Sequence, residues 1–368
     1  MLHHSTIRTD FTLRSSAPIR FFAYNTIMPK ARCVVWIDPE QAPVIKRVLA
    51  CADIELVGAG SPDSARTGQV ATDLACEPVD DLRVALSGFD ADLLILGNPG
   101  KFADQAVDAD LDALKAAHAR NMAVATLEPI PAASTGIGGT TFAEVLGTGA
   151  LNELVHMMPM TRHTPMIDEL YTVLETFAPI RSCNIVLGMP KVLGSLGARL
   201  FDAMDLIRSL VGVPNIIEAG YISPAAGRGM HPLPGQSLRY LHGEFTLNLR
   251  FSDGRCAALL LTDQVGASTI NITMLSNEGH IVVDNAGFKW FNPAGEMIDS
   301  HTCPDTKGVD PAEIALTAQL IELCSGVGPK RAPIDYPGVL SMTHATLLST
   351  RTGQGESPRA VEQLLLSM

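Results

Sequence analysis

The chain has no run of 18 apolar residues, and this absence excludes a helix that crosses a bilayer. Positive charge is scarce, since 27 Lys and Arg stand against 39 Asp and Glu. The resulting net charge of −12 repels a phosphate backbone, so neither nucleic acid nor a membrane is an expected partner. What is present is the composition of a folded protein, with 46% hydrophobic residues in 368. A chain of this length is expected to form two domains.

Metal-binding and redox motifs are missing as well. No two of the seven cysteines lie within four residues of each other, so the sequence has no CxxC pair. The ten histidines form no HxH, HxxxH or HxxE cluster. We therefore predict no metal site and expect reduced, mostly buried thiols, which fits the cytoplasm.

Residues 1–29 differ from the rest, because Arg8, Arg14 and Arg20 stand against one acid, Asp10. A targeting segment has such a balance, but this stretch lacks the continuous apolar core of a secretory signal. The alternative is a disordered extension before a true start at Met28, and we favour that interpretation.

Residues 30–145 alternate apolar strands with helical segments. CVVWID, IELVGA, DADLLILGNPG and NMAVATLEPIPA are the strand candidates. Apolar runs of this kind, separated by helices, are typical of a parallel, doubly wound, Rossmann-like sheet with ligands at the carboxyl ends of its strands.

Residues 146–368 follow a different pattern, in which helices precede a series of strands. Helices are predicted over 144–158, 166–176 and 199–212, and Asp310 to Glu313 supply the start of another. Turns at 252–254, 277–279 and 292–295 separate consecutive strands, which predicts an antiparallel meander covered by helices on one face. The second domain is therefore α+β with a large, mainly antiparallel sheet.

Five segments in order resemble the glucose–fructose oxidoreductase/inositol dehydrogenase family. They are LEPIPA, MTRHTP at 160–165, GSLGARLFDAMDLIRSLVG, the FSDG and NEGH turns, and the tail ATLLSTRTGQGESP. The resemblance covers nearly everything after residue 32. It implies a sugar, polyol or similar small-molecule substrate, NAD or NADP, and a homodimer or homotetramer formed through the second sheet.

The expected dinucleotide loop is altered. No glycine precedes Gly58, and the first strand leads into Asp38-Pro39-Glu40-Gln41. Asp38 is a good N-cap, Pro39 suits the first helical turn and Gln41 completes a capping box, so the protein is expected to use these N–H groups itself. Two acids beside a diphosphate would also be repulsive.

Other positions of the implied cofactor site are less clear. Gly60 or Ser61 stands where the resemblance implies an acid for the ribose, and Arg66 allows either a 2′-phosphate contact or an ordinary turn. Asn98 and Pro99, after the strand LLIL, offer further backbone-rich contacts. Glu128 and Pro129 match a Glu-Lys-Pro motif, but its lysine is absent.

The implied catalytic pair is altered too. Asp202 stands where the resemblance implies a histidine acid–base, and Asp205 three residues later matches a substrate-side acid. The alternative is that Arg199–Asp202 and Asp205–Arg208 are surface i,i+3 pairs.

Further residues are candidates for rebuilding the site. Lys191 is a candidate for replacing the missing lysine, and His242 is either a second base or a sheet-edge histidine. Arg162 and His163 occupy positions where the resemblance implies contacts with the substrate. Two functions stay open: an NAD(P)-dependent oxidoreductase with altered catalytic residues, and a cofactor-free pseudoenzyme that binds a ligand or a partner.

Overall fold

A computed structural model describes residues 30–104, 107–132, 141–177, 179–223, 237–303, 308–326, 328 and 332–367. Residues 31–368 form one compact unit. The predicted extension over residues 1–29 lies outside the described residues.

The first sheet is parallel throughout, as the strand–helix alternation predicted. Its strands are β1 (Arg32–Trp36), β2 (Glu55–Gly60), β3 (Glu77–Pro78), β4 (Leu93–Leu96), β5 (Ala123–Thr126) and β6 (His156–Met157). They lie in the order β3-β2-β1-β4-β5-β6, so the order reverses beside β1. The carboxyl ends of β1 and β4 therefore flank the crevice where doubly wound sheets bind ligands.

Helices cover both faces of this sheet. They are α1 (Ala42–Ala52), α2 (Ser64–Leu74), α3 (Leu82–Gly88), α4 (Asp108–Ala119), α5 (Thr141–Thr148) and α6 (Leu151–Leu154). Side chains of β1 alternate: Cys33 and Val35 pack with α1 and α2, whereas Val34 and Trp36 pack with α3 and α4. The sheet is therefore buried on both faces, which confirms the Rossmann-like prediction.

The second sheet has eight strands and is mainly antiparallel, as predicted. They are β7 (Ser182–Gly188), β8 (Ile216–Ile222), β9 (Glu244–Arg250), β10 (Cys256–Thr262), β11 (Thr269–Ser276), β12 (Gly279–Asp284), β13 (Gly287–Phe291) and β14 (Met297–Thr302). The three predicted turns join β9 to β10, β11 to β12 and β13 to β14.

Five further helices accompany this sheet. They are α7 (Pro165–Leu174), α8 (Leu196–Leu210), α9 (Pro311–Ser325), α10 (Tyr336–Thr352) and α11 (Pro358–Ser367). Helix α8 lies between β7 and α10, and α9 packs against α1 of the first sheet. Asp310 caps α9, accepting from the Ala312 N–H at 2.8 Å, whereas Glu313 binds Arg47 of α1 at 2.6 Å. No helix among the described residues is long and apolar enough to cross a membrane.

Three local predictions were wrong. The predicted meander is interrupted, because β7 lies between β10 and β11 and runs parallel to β10. The helix predicted over 144–158 is divided into α5 and α6, after which His156 and Met157 pair with β5. Of the seven cysteines, all unpaired, only Cys33 and Cys183 are buried.

Helix α8 approaches the turn Leu238–Tyr240 so closely that only glycine fits at position 197. A Cβ there would lie 2.1 Å from the Leu238 carbonyl oxygen. We expect Gly197→Ala to lower the free energy of unfolding by about 1–3 kcal/mol, because backbone must shift. Urea denaturation measures this effect.

Gly68 of α2 is the matched control for this substitution, since a Cβ there meets nothing within 4 Å. Gly68→Ala should stabilise the protein by up to about 1 kcal/mol through helix propensity alone. Equal effects of the two substitutions would contradict the close approach at Gly197.

Candidate functional site

The junction between β1 and α1 is closed by a glutamine side chain. Gln41 is buried; its Oε1 accepts from the Asp38 N–H at 2.9 Å, and its Nε2 donates to the Gly97 and Val192 carbonyls, each at 3.2 Å. A Cβ on Gly97 would lie 2.8 Å from Gln41 Oε1, so the amide fills the corner between β1 and β4. The predicted self-capped turn is present, although Gln41 also fastens the turn to β4 and to Val192.

The polar groups around this junction bind each other. Asn98 donates from Nδ2 to the Asp38 carboxylate at 2.7 Å and accepts the Gly100 N–H at 2.9 Å. Arg66 binds Glu40 at 2.6 Å, and this hydrogen bond lowers the pKa of the Glu40 carboxyl. Arg66 is therefore engaged by the acid that follows β1.

The end of β2 is closed by Trp36. A Cβ on Gly60 would lie 2.3 Å from the Trp36 ring and 2.4 Å from the Val79 carbonyl oxygen. Ser61 is buried and Pro99 lies in a buried turn. These residues do not fit a diphosphate cradle, because the space beside β1 and β2 holds the protein's own side chains and two carboxylates.

Arg239, which sequence reasoning missed, fills the edge beside β4 and β5. Its guanidinium donates to the carbonyls of Gly100 at 3.1 Å, Phe102 at 2.6 Å, Ala103 at 3.2 Å and Pro129 at 2.9 Å. Arg239 is buried, and burial lowers its pKa. One side chain from the second sheet's region therefore bridges two loops of the first sheet.

Glu128 holds the start of α8 and is not free to meet a ligand. It accepts from the Ser195 N–H and from Ser195 Oγ, both at 2.7 Å, while Ser195 Oγ caps the Ala198 N–H at 3.1 Å. Burial raises the pKa of the Glu128 carboxyl. The Pro129 carbonyl accepts from Arg239. Both residues of the Glu-Pro segment therefore make structural contacts between the two sheets.

Asp202 lies on the buried part of α8. It accepts from the Thr161 N–H at 2.8 Å and from Thr161 Oγ1 at 2.5 Å, and Arg199 Nη1 lies 3.6 Å from its carboxylate. Asp202 and Arg199 are each 1% exposed, so the interpretation of this pair as a surface i,i+3 contact was wrong. Burial raises the pKa of the Asp202 carboxyl.

Asp205 binds Arg162, and Arg208 binds Asp335, so the second predicted surface pair was wrong too. Burial raises the pKa of Asp205 to about 6, despite the opposing charge of Arg162. Arg162 also donates to the Ala332 carbonyl at 2.9 Å. Two of the three residues predicted to contact substrate, Arg162 and Asp205, thus pair with each other inside the protein.

A pocket of about 800 Å³ opens beside Asp202 and Arg199. Its buried wall is mostly apolar and comes from the turn before α7, from β7 and from α9: Met160, Met166, Leu187, Met189, Ala312 and Ala315. Exposed residues such as Thr269 and Asn285 lie at its rim. A volume of this size is typical of small-molecule sites.

The structure does not bring the other predicted catalytic residues into this pocket. His242 is half-exposed, and its Nδ1 lies 2.8 Å from the buried carboxylate of Asp263, which raises the pKa of the imidazole. Lys191 is exposed on the turn Lys191–Leu193. His163 lines a separate cavity of about 440 Å³. The sequence offered no signal for Asp263, because its partner lies 21 residues away.

Among the described residues, no group of three or more His, Cys, Asp or Glu is arranged to hold a metal ion.

Comparison with known proteins gives structural similarity only. A probable dehydrogenase from Thermotoga maritima is 12% identical, with a TM-score of 0.61 over 90% of this chain and 99% of that one. A levoglucosan dehydrogenase in complex with NADH and levoglucosan is 13% identical, with a TM-score of 0.62 over 89% and 99%. The myo-inositol 2-dehydrogenase from Lactobacillus plantarum is 15% identical, with a TM-score of 0.60 over 89% and 99%.

No protein-family model and no curated protein sequence matches the chain. The structural similarities establish a shared fold, as the sequence resemblance implied.

Proposed function

We propose that this chain binds a small organic molecule in the pocket beside Asp202 and does so without a dinucleotide. The observation that carries the proposal is the closed junction after β1, where Gln41 fills the corner between β1 and β4. A dinucleotide-binding fold leaves this corner to a diphosphate, held by free N–H groups at the start of the helix.

Charge at the junction supports the same proposal. A diphosphate there would meet the Asp38 carboxylate. The neutral Asn98 amide donates a hydrogen bond to this carboxylate but does not neutralise its charge. Two like charges at 5 Å repel by about 3 kcal/mol at an effective dielectric constant near 20. That repulsion offsets much of what a phosphate cradle contributes.

Arg239 supports the proposal of binding without a dinucleotide at the other end of the crevice. Its four backbone contacts join the loops after β4 and β5, along the edge where a nicotinamide would have to reach the second sheet. A nicotinamide at this edge would lie against carbonyls that a buried guanidinium already occupies. The pocket beside Asp202 is open.

We expect NADH and NADPH to give no saturable quenching of Trp36 fluorescence at concentrations up to ~1 mM. Trp290→Phe leaves Trp36 as the single tryptophan, and Trp36 lies against Gly60 where an adenosine would sit. Both reduced cofactors absorb at the wavelengths of tryptophan emission, so a bound cofactor quenches Trp36 by energy transfer. The titration reports binding near Trp36 once the light absorbed by free cofactor has been corrected for.

Calorimetry of the unmodified chain is the control for the tryptophan substitution. Saturable binding at micromolar concentrations in both measurements would contradict the proposal and leave the oxidoreductase as the function.

That oxidoreductase is the second candidate, favoured by the fold shared with a levoglucosan dehydrogenase solved with NADH. In it, Asp202 would exchange the substrate hydroxyl proton, and its buried carboxylate, of raised pKa, suits a general base better than an exposed one. Lys191 and His242 remain proposals for the same chemistry.

We also propose self-association through the exposed face of the second sheet. In β9, Thr246, Asn248 and Arg250 face outward while Phe245 and Leu247 are buried, as the alternation predicted.

Seven unpaired cysteines support a reducing, cytoplasmic location.

A further inference from the structure

The buried wall of the pocket is poor in groups that a polyol needs. Methionine, leucine and alanine side chains form most of it. The two threonine hydroxyls of the wall already donate, Thr161 Oγ1 to Asp202 and Thr164 Oγ1 to the Thr161 carbonyl at 2.8 Å. A sugar would bury most of its hydroxyls against apolar side chains, which is unfavourable.

Asn285, at the rim of the pocket, is not free to bind a polyol hydroxyl either. Asn285 donates from Nδ2 to the Ser268 carbonyl at 2.8 Å and accepts the Ile270 N–H at 2.9 Å, so both ends of its amide are used. The polar rim therefore stabilises the loop before β11.

Three buried polar atoms of the pocket lining have no hydrogen-bond partner among the described residues. Arg199 donates from Nη2 to the Leu193 carbonyl at 3.2 Å, whereas its Nε makes no hydrogen bond and its Nη1 is 3.6 Å from Asp202, beyond hydrogen-bond distance. Ser268 Oγ is the third such atom. Buried donors of this kind are normally satisfied, so a missing acceptor is expected beside Arg199.

The charge of the buried network determines what kind of acceptor fits. Two buried guanidiniums beside the pocket already have carboxylate partners, because Arg162 pairs with Asp205 and Arg199 lies 3.6 Å from Asp202. A ligand carboxylate would bring a further negative charge to Arg199, which already pairs with the Asp202 carboxylate at 3.6 Å. An uncharged oxygen avoids that penalty.

We propose that the pocket takes a molecule with an apolar body and one uncharged carbonyl oxygen, which accepts from Arg199. This inference rests on the proposed function, since it names the ligand class of the same pocket. Ser268 Oγ, the other unpartnered donor of the pocket lining, supplies a second contact to the ligand.

Displacement of the neutral fluorescent dye Nile red tests the proposal on the full chain. We expect 2-nonanone to displace the dye at least about tenfold more effectively than nonanoate, which has the same length and a charged head, and myo-inositol not to displace it. Ser268→Ala should weaken 2-nonanone binding and is mild enough to preserve the fold. Arg199→Met should weaken it further.

A pair of isoleucines on α9 provides the matched variants. Ile314 lines the pocket and is 37% exposed, whereas Ile321 is 42% exposed and does not line it. Ile314→Glu should weaken Nile red binding about tenfold, because it brings a charge to an apolar site, and Ile321→Glu should leave binding unchanged.

Each alternative result overturns a defined part of the inference. Displacement by myo-inositol overturns the apolar body, and displacement by nonanoate equal to that by 2-nonanone overturns the uncharged head. Absence of dye binding, or equal effects of the two glutamate variants, overturns the pocket as an apolar site. These results can be told apart from failure of the proposed binding without a dinucleotide, because only saturable binding of NADH or NADPH contradicts that proposal.

Discussion

Arg239→Ala should lower the free energy of unfolding by about 3–5 kcal/mol, because it leaves buried groups without partners. The substitution removes hydrogen bonds to the carbonyls of Gly100, Phe102, Ala103 and Pro129 at once. It also removes a positive charge near Glu128. Urea denaturation followed by circular dichroism measures the loss.

An exposed arginine provides the comparison for this result. Arg250 on β9 binds Glu218 on β8, and both side chains are largely exposed. Arg250→Ala should cost less than about 1 kcal/mol, because solvent screens such a pair. If Arg239→Ala has an effect as small as this, Arg239 does not join the loops of the first sheet.

The second large effect is expected from Asp205→Asn as a function of pH. Burial raises the pKa of Asp205 to about 6, above its ordinary value near 4, so the folded protein prefers the protonated acid. The stability that this preference contributes is present below about pH 4 and is lost as the pH rises through about 6.

Asparagine stays neutral, so the stability of Asp205→Asn relative to the wild type should rise by about 2 kcal/mol between pH 4 and pH 7. Unfolding curves of both proteins at several pH values measure the difference. The His242 imidazole, whose pKa is also raised, titrates in both proteins, and its effect cancels. A difference that does not change with pH would contradict the raised pKa of the Asp205 carboxyl.

The sequence predicted the layered architecture because its signals are local. Apolar runs such as CVVWID and the Asp38-Pro39-Gln41 cap act within a few residues, and the structure contains both. The division into domains near residue 145 stays a prediction. The position of β7 was missed, because a strand that pairs with β10 across more than 70 residues has no local mark.

The candidate site was harder to predict for the same reason. Arg239 meets Pro129 across 110 residues, and nothing in its own neighbourhood indicates that contact. Asp202 and Asp205 have the spacing of surface pairs, yet 12 of the 15 residues of α8 are buried. The i,i+3 pattern describes a helix equally well whether water or protein covers it, so tertiary contacts decide the outcome.

The bridge made by Arg239 has a consequence for how ligands enter and leave. Enzymes that clamp a substrate between two lobes commonly swing open on a hinge to exchange it. Here such a swing has to break four hydrogen bonds of one buried cation together, which makes wide opening energetically unfavourable. We therefore expect a ligand to enter and leave over the pocket rim at Thr269 and Asn285, without separation of the two sheets.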